Sequence, residues 1–199
     1  MQINCAGMQR YSEVNGPGLR SVIWTQGCPI RCRGCFNKEL WNFSGGMAME
    51  PVDLADRILS TPGIEGVTFS GGEPFCQAES VARCAGILKE QGLNTVTFTG
   101  YTYDHIRKKG RKSWDALLGV TDLLIAGLYI QELHCLDPLR SSVNQELVHL
   151  SGLLTGREDK GRNGGRTVEY SILPGGEITI TGFPEKRMPA SSFRMEGDL

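Results

Sequence analysis

Three cysteines stand close together in Gly27-Cys28-Pro29-Ile30-Arg31-Cys32-Arg33-Gly34-Cys35, at the spacing C-x3-C-x2-C. Thiolates this near in sequence can fold around one soft metal site, and iron–sulfur clusters and zinc both select thiolates. Three is one ligand short of a closed site. A cubane 4Fe–4S cluster held by Cys28, Cys32 and Cys35 leaves one iron without a protein ligand, open to a small molecule. Structural zinc takes four protein ligands, and Cys76 is the outlying cysteine placed to supply the fourth. Cys5, Cys84 and Cys135 have no ligand spacing and read as buried or incidental thiols. His105, His134 and His149 are isolated and read as surface or core histidines.

The chain that must position these cysteines has 199 residues, a length that suits one domain with a substantial core. Its net charge of −1, from 21 basic and 22 acidic residues, argues against nucleic acid or an anionic membrane as a bulk partner. The longest apolar stretch, 123–130, is far below membrane-spanning length. Met1-Gln2-Ile3-Asn4-Cys5 lacks the basic and apolar regions of a secretory signal, so a cytoplasmic location is expected. Seven cysteines in a reducing compartment are not a disulfide framework.

Hydrophobic periodicity predicts strands at 19–25, 66–70, 93–99 and 121–126. Helices are expected at 51–60 and 77–91, the latter with Ala78, Val81, Ala82, Ala85 and Leu88 on one stripe. A helical region at 103–118 is interrupted by the run Arg107-Lys108-Lys109-Gly110-Arg111-Lys112, read as a solvated loop. A further helix is expected at 141–150, a loop at 156–166, and a β-hairpin from 167–173 and 177–181 about Pro174-Gly175-Gly176. Residues 185–199 read as a loose tail. Alternating strands and helices predict an α/β fold with a parallel sheet, whose functional loops follow the C-terminal ends of the strands. The cysteine loop, Gly71-Gly72-Glu73-Pro74 and Thr99-Gly100-Tyr101 all fall at such ends.

The cysteine motif followed by Gly71-Gly72-Glu73-Pro74 resembles the radical S-adenosylmethionine (SAM) superfamily. Asn15-Gly16-Pro17-Gly18-Leu19-Arg20, Cys32-Arg33-Gly34-Cys35-Phe36-Asn37, Leu40-Trp41-Asn42-Phe43 and Leu139-Arg140-Ser141-Ser142-Val143-Asn144-Gln145 narrow the resemblance. They are similar to the activating proteins of anaerobic ribonucleoside-triphosphate reductase, over roughly residues 11–184 of a single 1–199 domain. The resemblance implies an open partial (βα) barrel of the radical SAM type with a C-terminal β-hairpin. It implies a 4Fe–4S cluster on Cys28, Cys32 and Cys35, with SAM chelating the free iron and being cleaved reductively to a 5′-deoxyadenosyl radical. It also implies a glycyl radical enzyme as partner and a reducing donor such as flavodoxin or ferredoxin.

On that reading Gly71 and Gly72 let backbone approach the methionine moiety, and Glu73 pairs with its ammonium. Thr97 and Thr99 share a strand face toward ribose or methionine, although strand threonines packing on a helix give the same pattern. Gly34 stands where many superfamily members have an aromatic against adenine, which leaves Tyr101 and Phe36 for that role or as plain core. Two places depart from the family pattern: Ala126 replaces an aspartate, and Arg140-Ser141-Ser142 lacks a glycine after the arginine. The other readings are a small radical SAM enzyme acting directly on a small molecule or peptide, like 7-carboxy-7-deazaguanine synthase, and a non-catalytic zinc or electron-transfer module.

Overall fold

The computed structural model describes residues 1–135, 137–157, 168–172 and 178–182. Its strands and helices run β1 (Ile3–Ser12), β2 (Arg20–Thr25), β3 (Met47–Met49), α1 (Pro51–Leu59), β4 (Gly66–Gly71), α2 (Ala78–Glu90) and β5 (Asn94–Thr99). They continue with α3 (Tyr103–Lys109), α4 (Lys112–Val120), β6 (Leu123–Ala126), β7 (Glu146–His149), β8 (Val168–Ile172) and β9 (Ile178–Gly182). Seven strands form one sheet in the order β3-β1-β2-β4-β5-β6-β7, and β8 pairs with β9 alone. The central strands β2, β4, β5 and β6 are parallel, while β1, β3 and β7 join antiparallel. This is the expected α/β arrangement, left open, with the expected C-terminal hairpin.

Period-two alternation explains how the sheet is covered. Ile23 of β2 packs into the main core with Leu54 and Ile58 of α1 and Val81, Ala85 and Leu88 of α2, while its neighbours Val22 and Trp24 face a separate cluster with Leu40. Leu124 and Ala126 of β6 join the main core; Leu123 and Ile125 turn to the other face, with Leu139 and Leu154. The central strands are thus buried on both faces, as crossover-connected parallel strands are.

Two expectations need correction. The segment 141–150 is a turn followed by strand β7, not a helix. Consecutive Leu147 and Val148 pack on opposite faces, a strand's alternation that becomes visible only beside β6. The basic run is not mainly a loop: Arg107, Lys108 and Lys109 form the last turn of α3, beside the negative end of the helix, and Lys108 pairs with Asp104 at 2.6 Å. The break comes at Gly110, which is left-handed and caps α3. Strand β1, ahead of the stretch that carries the resemblance, contributes Ile3, Cys5 and Met8 to the core. The turn at 174–176, most of the 156–166 loop and the 185–199 tail lie outside the described residues.

At the other end of the parallel strands from the cysteine loop, Arg20 is 0% exposed and makes a polar knot. Its Nε and Nη2 donate to the Pro17 carbonyl, Nη1 to Val67 O and Thr68 Oγ1, and Nη2 also to Asn94 Oδ1 at 2.6 Å. One planar guanidinium therefore ties the 15–18 turn to the starts of β4 and β5. Lysine has no such fork, so Arg20→Lys should cost about 2–4 kcal/mol, read as a lower urea midpoint with an unchanged denaturant slope.

Candidate active site

The cysteine loop leaves β2 at Thr25 and is stitched down at once. Gly27 N donates to Leu40 O at 2.9 Å and Cys28 N to Trp41 O at 3.1 Å, so the 3₁₀ turn Lys38–Trp41 forms its outer support. The loop then curls through Arg31 (φ 53°) and Gly34 (φ 82°), and Cys35 N closes a turn onto Cys32 O at 3.1 Å. The left-handed φ is what calls for glycine at Gly34, since a Cβ there would meet only the exposed Gln131 side chain. Cys28, Cys32 and Cys35 all line one cleft. Among the described residues no three Cys, His, Asp or Glu side chains are already drawn together as a metal cage.

The cleft floor is made by strand ends. Gly71 and Gly72 of the β4 loop pass against the β2 backbone, and a Cβ on Gly71 would stand 2.6 Å from Thr25 N. A Cβ on Gly72 would collide with the Gly27 carbonyl. The glycine pair is therefore demanded by chain packing before any ligand is considered. Gly72 N donates to Thr25 O at 2.7 Å and Glu73 N to Gly27 O at 2.9 Å, which ties this loop to the cysteine loop.

Glu73 is 0% exposed. Its Oε1 accepts from Phe75 N and Thr99 Oγ1, and its Oε2 from Gly100 N, each at 2.9 Å. The carboxylate that the sequence assigns to a methionine ammonium is thus engaged by three protein donors, spanning the ends of β4 and β5. Burial pushes its pKa up from 4.5 to about 7, against those donors, which favour the ionised form.

Of the residues singled out from sequence, Cys28, Cys32, Cys35, Gly71, Gly72, Glu73 and Thr99 come together at the cleft. Three others are not among the residues lining the cleft. Thr97 is buried and its hydroxyl bonds with that of Thr121 at 2.9 Å, the packing role. Tyr101 stacks on His105 and packs against Trp114, and Phe36 packs on Tyr129 and His134, with ring centroids 5.0–6.4 Å apart. The aromatic walls of the cleft are Phe98, Tyr129 and Trp41 instead. Gln145 also lines it, held by Ser141 N and Ser142 N on its Oε1 and by Gly127 O on its Nε2. Applying the strand-end rule to β6 as well as to β2, β4 and β5 would have found Gly127 and Tyr129. Gln145 carries no local signal. Ala126 is buried in the core between Thr99 of β5 and Glu146 of β7, and its methyl is not part of the cleft wall.

The electrostatics suit a metal centre. Burial raises the proton affinity of Cys28 and Cys32, and the neighbouring thiols, with Glu73 beside Cys28, raise it further. Three thiolates in such a cleft are stable together only around a cation, and soft thiolates suit iron or zinc. Cys76 is not among the residues lining the cleft.

Comparison with known proteins bears on this donor set. The family described as "4Fe-4S single cluster domain" matches residues 14–148. The chain belongs to that family. It stands with the glycyl-radical-activase-like group of radical SAM proteins, for which a 4Fe–4S cluster and SAM are the cofactors. The anaerobic ribonucleoside-triphosphate reductase-activating protein of Haemophilus influenzae is 32% identical over 150 residues, covering 68% of this chain and 90% of that protein. The pyruvate formate-lyase-activating enzyme of Clostridium pasteurianum is 36% identical over 118 residues, and pyruvate formate-lyase 1-activating enzyme of Escherichia coli 31% over 173. These cover 56% and 81% of this chain, which spans only 46% and 64% of the two enzymes' own lengths. QueE from Escherichia coli superimposes on 51% of this chain and 54% of its own, with a TM-score of 0.41 and 22% identity, a partial likeness that says nothing of substrate.

Glu73→Gln replaces an acceptor oxygen with an amide NH2, a second donor facing a backbone N–H, so the variant should lose about 1–3 kcal/mol in urea unfolding at pH 7. The pH dependence has a definite sign. Because the folded pKa lies above the unfolded 4.5, the native state holds an extra proton between 4.5 and about 7. Its contribution is fully present below pH 4.5 and lost as pH rises through 7. Wild-type stability should therefore fall more steeply over that window than that of Glu73→Gln.

Proposed function

We propose that this protein is a radical SAM activase that generates a glycyl radical on a partner enzyme, in the manner of the ribonucleoside-triphosphate reductase-activating proteins. The observation that carries the reading is the meeting of three cysteines with the Gly71-Gly72-Glu73 loop at adjacent parallel strand ends, on a chain that spans nine-tenths of such a relative.

In this reading Cys28, Cys32 and Cys35 would hold a 4Fe–4S cluster and leave it an open position for SAM. When bound, the cluster would supply the electron for reductive cleavage of SAM, the radical chemistry that would remove a hydrogen atom from the partner's glycine. Gly71 and Gly72 let the methionine end lie against backbone. Glu73 orients Thr99 Oγ1 and the Gly100 amide, and it reaches the methionine ammonium directly if that group displaces one of its three donors. Phe98 and Tyr129 offer flat surfaces for adenine, in place of Tyr101 and Phe36. The partner is a glycyl radical enzyme, the electron donor is flavodoxin- or ferredoxin-like, and the compartment is the cytoplasm. No described helix is long and apolar enough to cross a membrane.

Anaerobic reconstitution should give about four irons per chain, the content of one cubane cluster, and dithionite-driven release of 5′-deoxyadenosine. Cys32→Ala should reduce that release to background. A glycyl EPR doublet should appear when the partner enzyme is added. Failure of the doublet with ribonucleotide reductase and pyruvate formate-lyase partners would refute the activase role, and a modified small-molecule product without any partner would point to the direct-acting class.

A further inference from the structure

Two consecutive amide side chains hold two consecutive carbonyls beside the cleft. Gln145 Nε2 donates to Gly127 O at 2.9 Å, and Asn144 Nδ2 donates to Leu128 O at 2.8 Å. The loop they hold is also fixed where it leaves β6, because Gly127 N donates to Thr99 O at 3.1 Å and to Tyr101 O at 2.9 Å. Gly127 turns there with a φ of 117°, a conformation that calls for glycine. The clamp is braced from its own side as well, since Gln145 Oε1 accepts from Ser141 N and Ser142 N.

A clamped carbonyl fixes the amide that follows it. A trans peptide is planar, with its C=O and N–H pointing in opposite directions, so holding Leu128 O aims the Tyr129 N–H the other way. That N–H meets the cysteine loop. Burial raises the pKa of Cys32, and against it the Tyr129 N–H, donating to the Cys32 sulfur, favours the thiolate. Two further contacts put Tyr129 against the same loop. It lines the cleft together with Cys32, and its ring centroid lies 5.5 Å from that of Phe36, the residue after Cys35.

We propose that Asn144 and Gln145 are positioning residues for the cluster: by clamping Leu128 O and Gly127 O they hold the Tyr129 amide against the Cys32 sulfur and so raise the reduction potential. The inference rests on the cluster reading of the site and adds the residues that tune it. An N–H bond to a ligating sulfur stabilises the more negative reduced state, and such bonds are among the determinants of cluster potential. Both clamping side chains are uncharged, so they set the amide's direction without placing a charge beside the thiolates.

Asn144→Leu keeps the size of the side chain and removes the donor. Reconstituted without SAM, it should bind as much iron as the wild type and be harder to reduce. The oxidised-to-reduced ratio at a fixed ambient potential should rise by roughly two- to tenfold, tenfold being 59 mV for one electron. Replacing Tyr129 by its α-hydroxy acid analogue turns the amide into an ester, removes the N–H and should shift the potential in the same direction. Because Asn144 acts through that amide, both changes together should shift it no further than the ester alone. An unchanged midpoint in Asn144→Leu at full iron content overturns the proposal, even with a lower urea midpoint, and so do additive shifts. Should Asn144→Leu take up no iron, wild-type protein carrying ¹⁵N-tyrosine decides. Pulsed EPR of its reduced cluster should show a ¹⁵N coupling that is lost in Tyr129→Phe grown with the same label, and absence of that coupling overturns the proposal. If the wild type assembles no cluster, the reading of the site fails and this inference with it.

Discussion

The buried carboxylate of Glu73 is the junction on which the cleft depends. Its backbone N–H holds Gly27 of the cysteine loop, and its side chain gathers Phe75, Thr99 and Gly100. Three loops that leave three different strands are thereby kept in one arrangement. A fully buried carboxylate is costly unless well bonded, and here its donors belong to the site being organised. Stability and site geometry rest on the same atoms.

Around that junction the fold divides its labour along the strands. Arg20 gathers the chain at the starts of β4 and β5, and Glu73 at their ends. Between them the strands are buried on both faces. The functional residues are confined to the loops, as parallel α/β architectures confine them. The glycines of the Gly71-Gly72 pair serve this plan twice, since packing against the β2 backbone excludes a side chain there and the same bareness exposes peptide groups to the cleft.

The departures from the family pattern also find a physical setting. Ala126 is buried in the core, paired with Thr99 of β5 on one side and Glu146 of β7 on the other. Ser141 and Ser142 present backbone amides to Gln145, which bridges to Gly127 and enters the cleft from the turn before β7. One wall of the site thus comes from a segment that follows the parallel strands in the chain.

What was legible in the sequence was local. Cysteine spacing, the Gly-Gly-Glu turn and the alternation of strand and helix signals each lie within a few residues, and together they located the cluster ligands and the strand ends that meet them. Strand β7 was not legible, because Leu147 and Val148 read as strand or helix until β6 lies beside them. Nor were the places of Thr97 and Thr99: period two puts them on one face, yet only Thr99 reaches the strand end where Glu73 waits, while Thr97 meets Thr121 of the segment after α4. The aromatic walls of the cleft belong to the same class. Which rings face a cleft depends on segments distant in sequence meeting in space, and no local pattern encodes that.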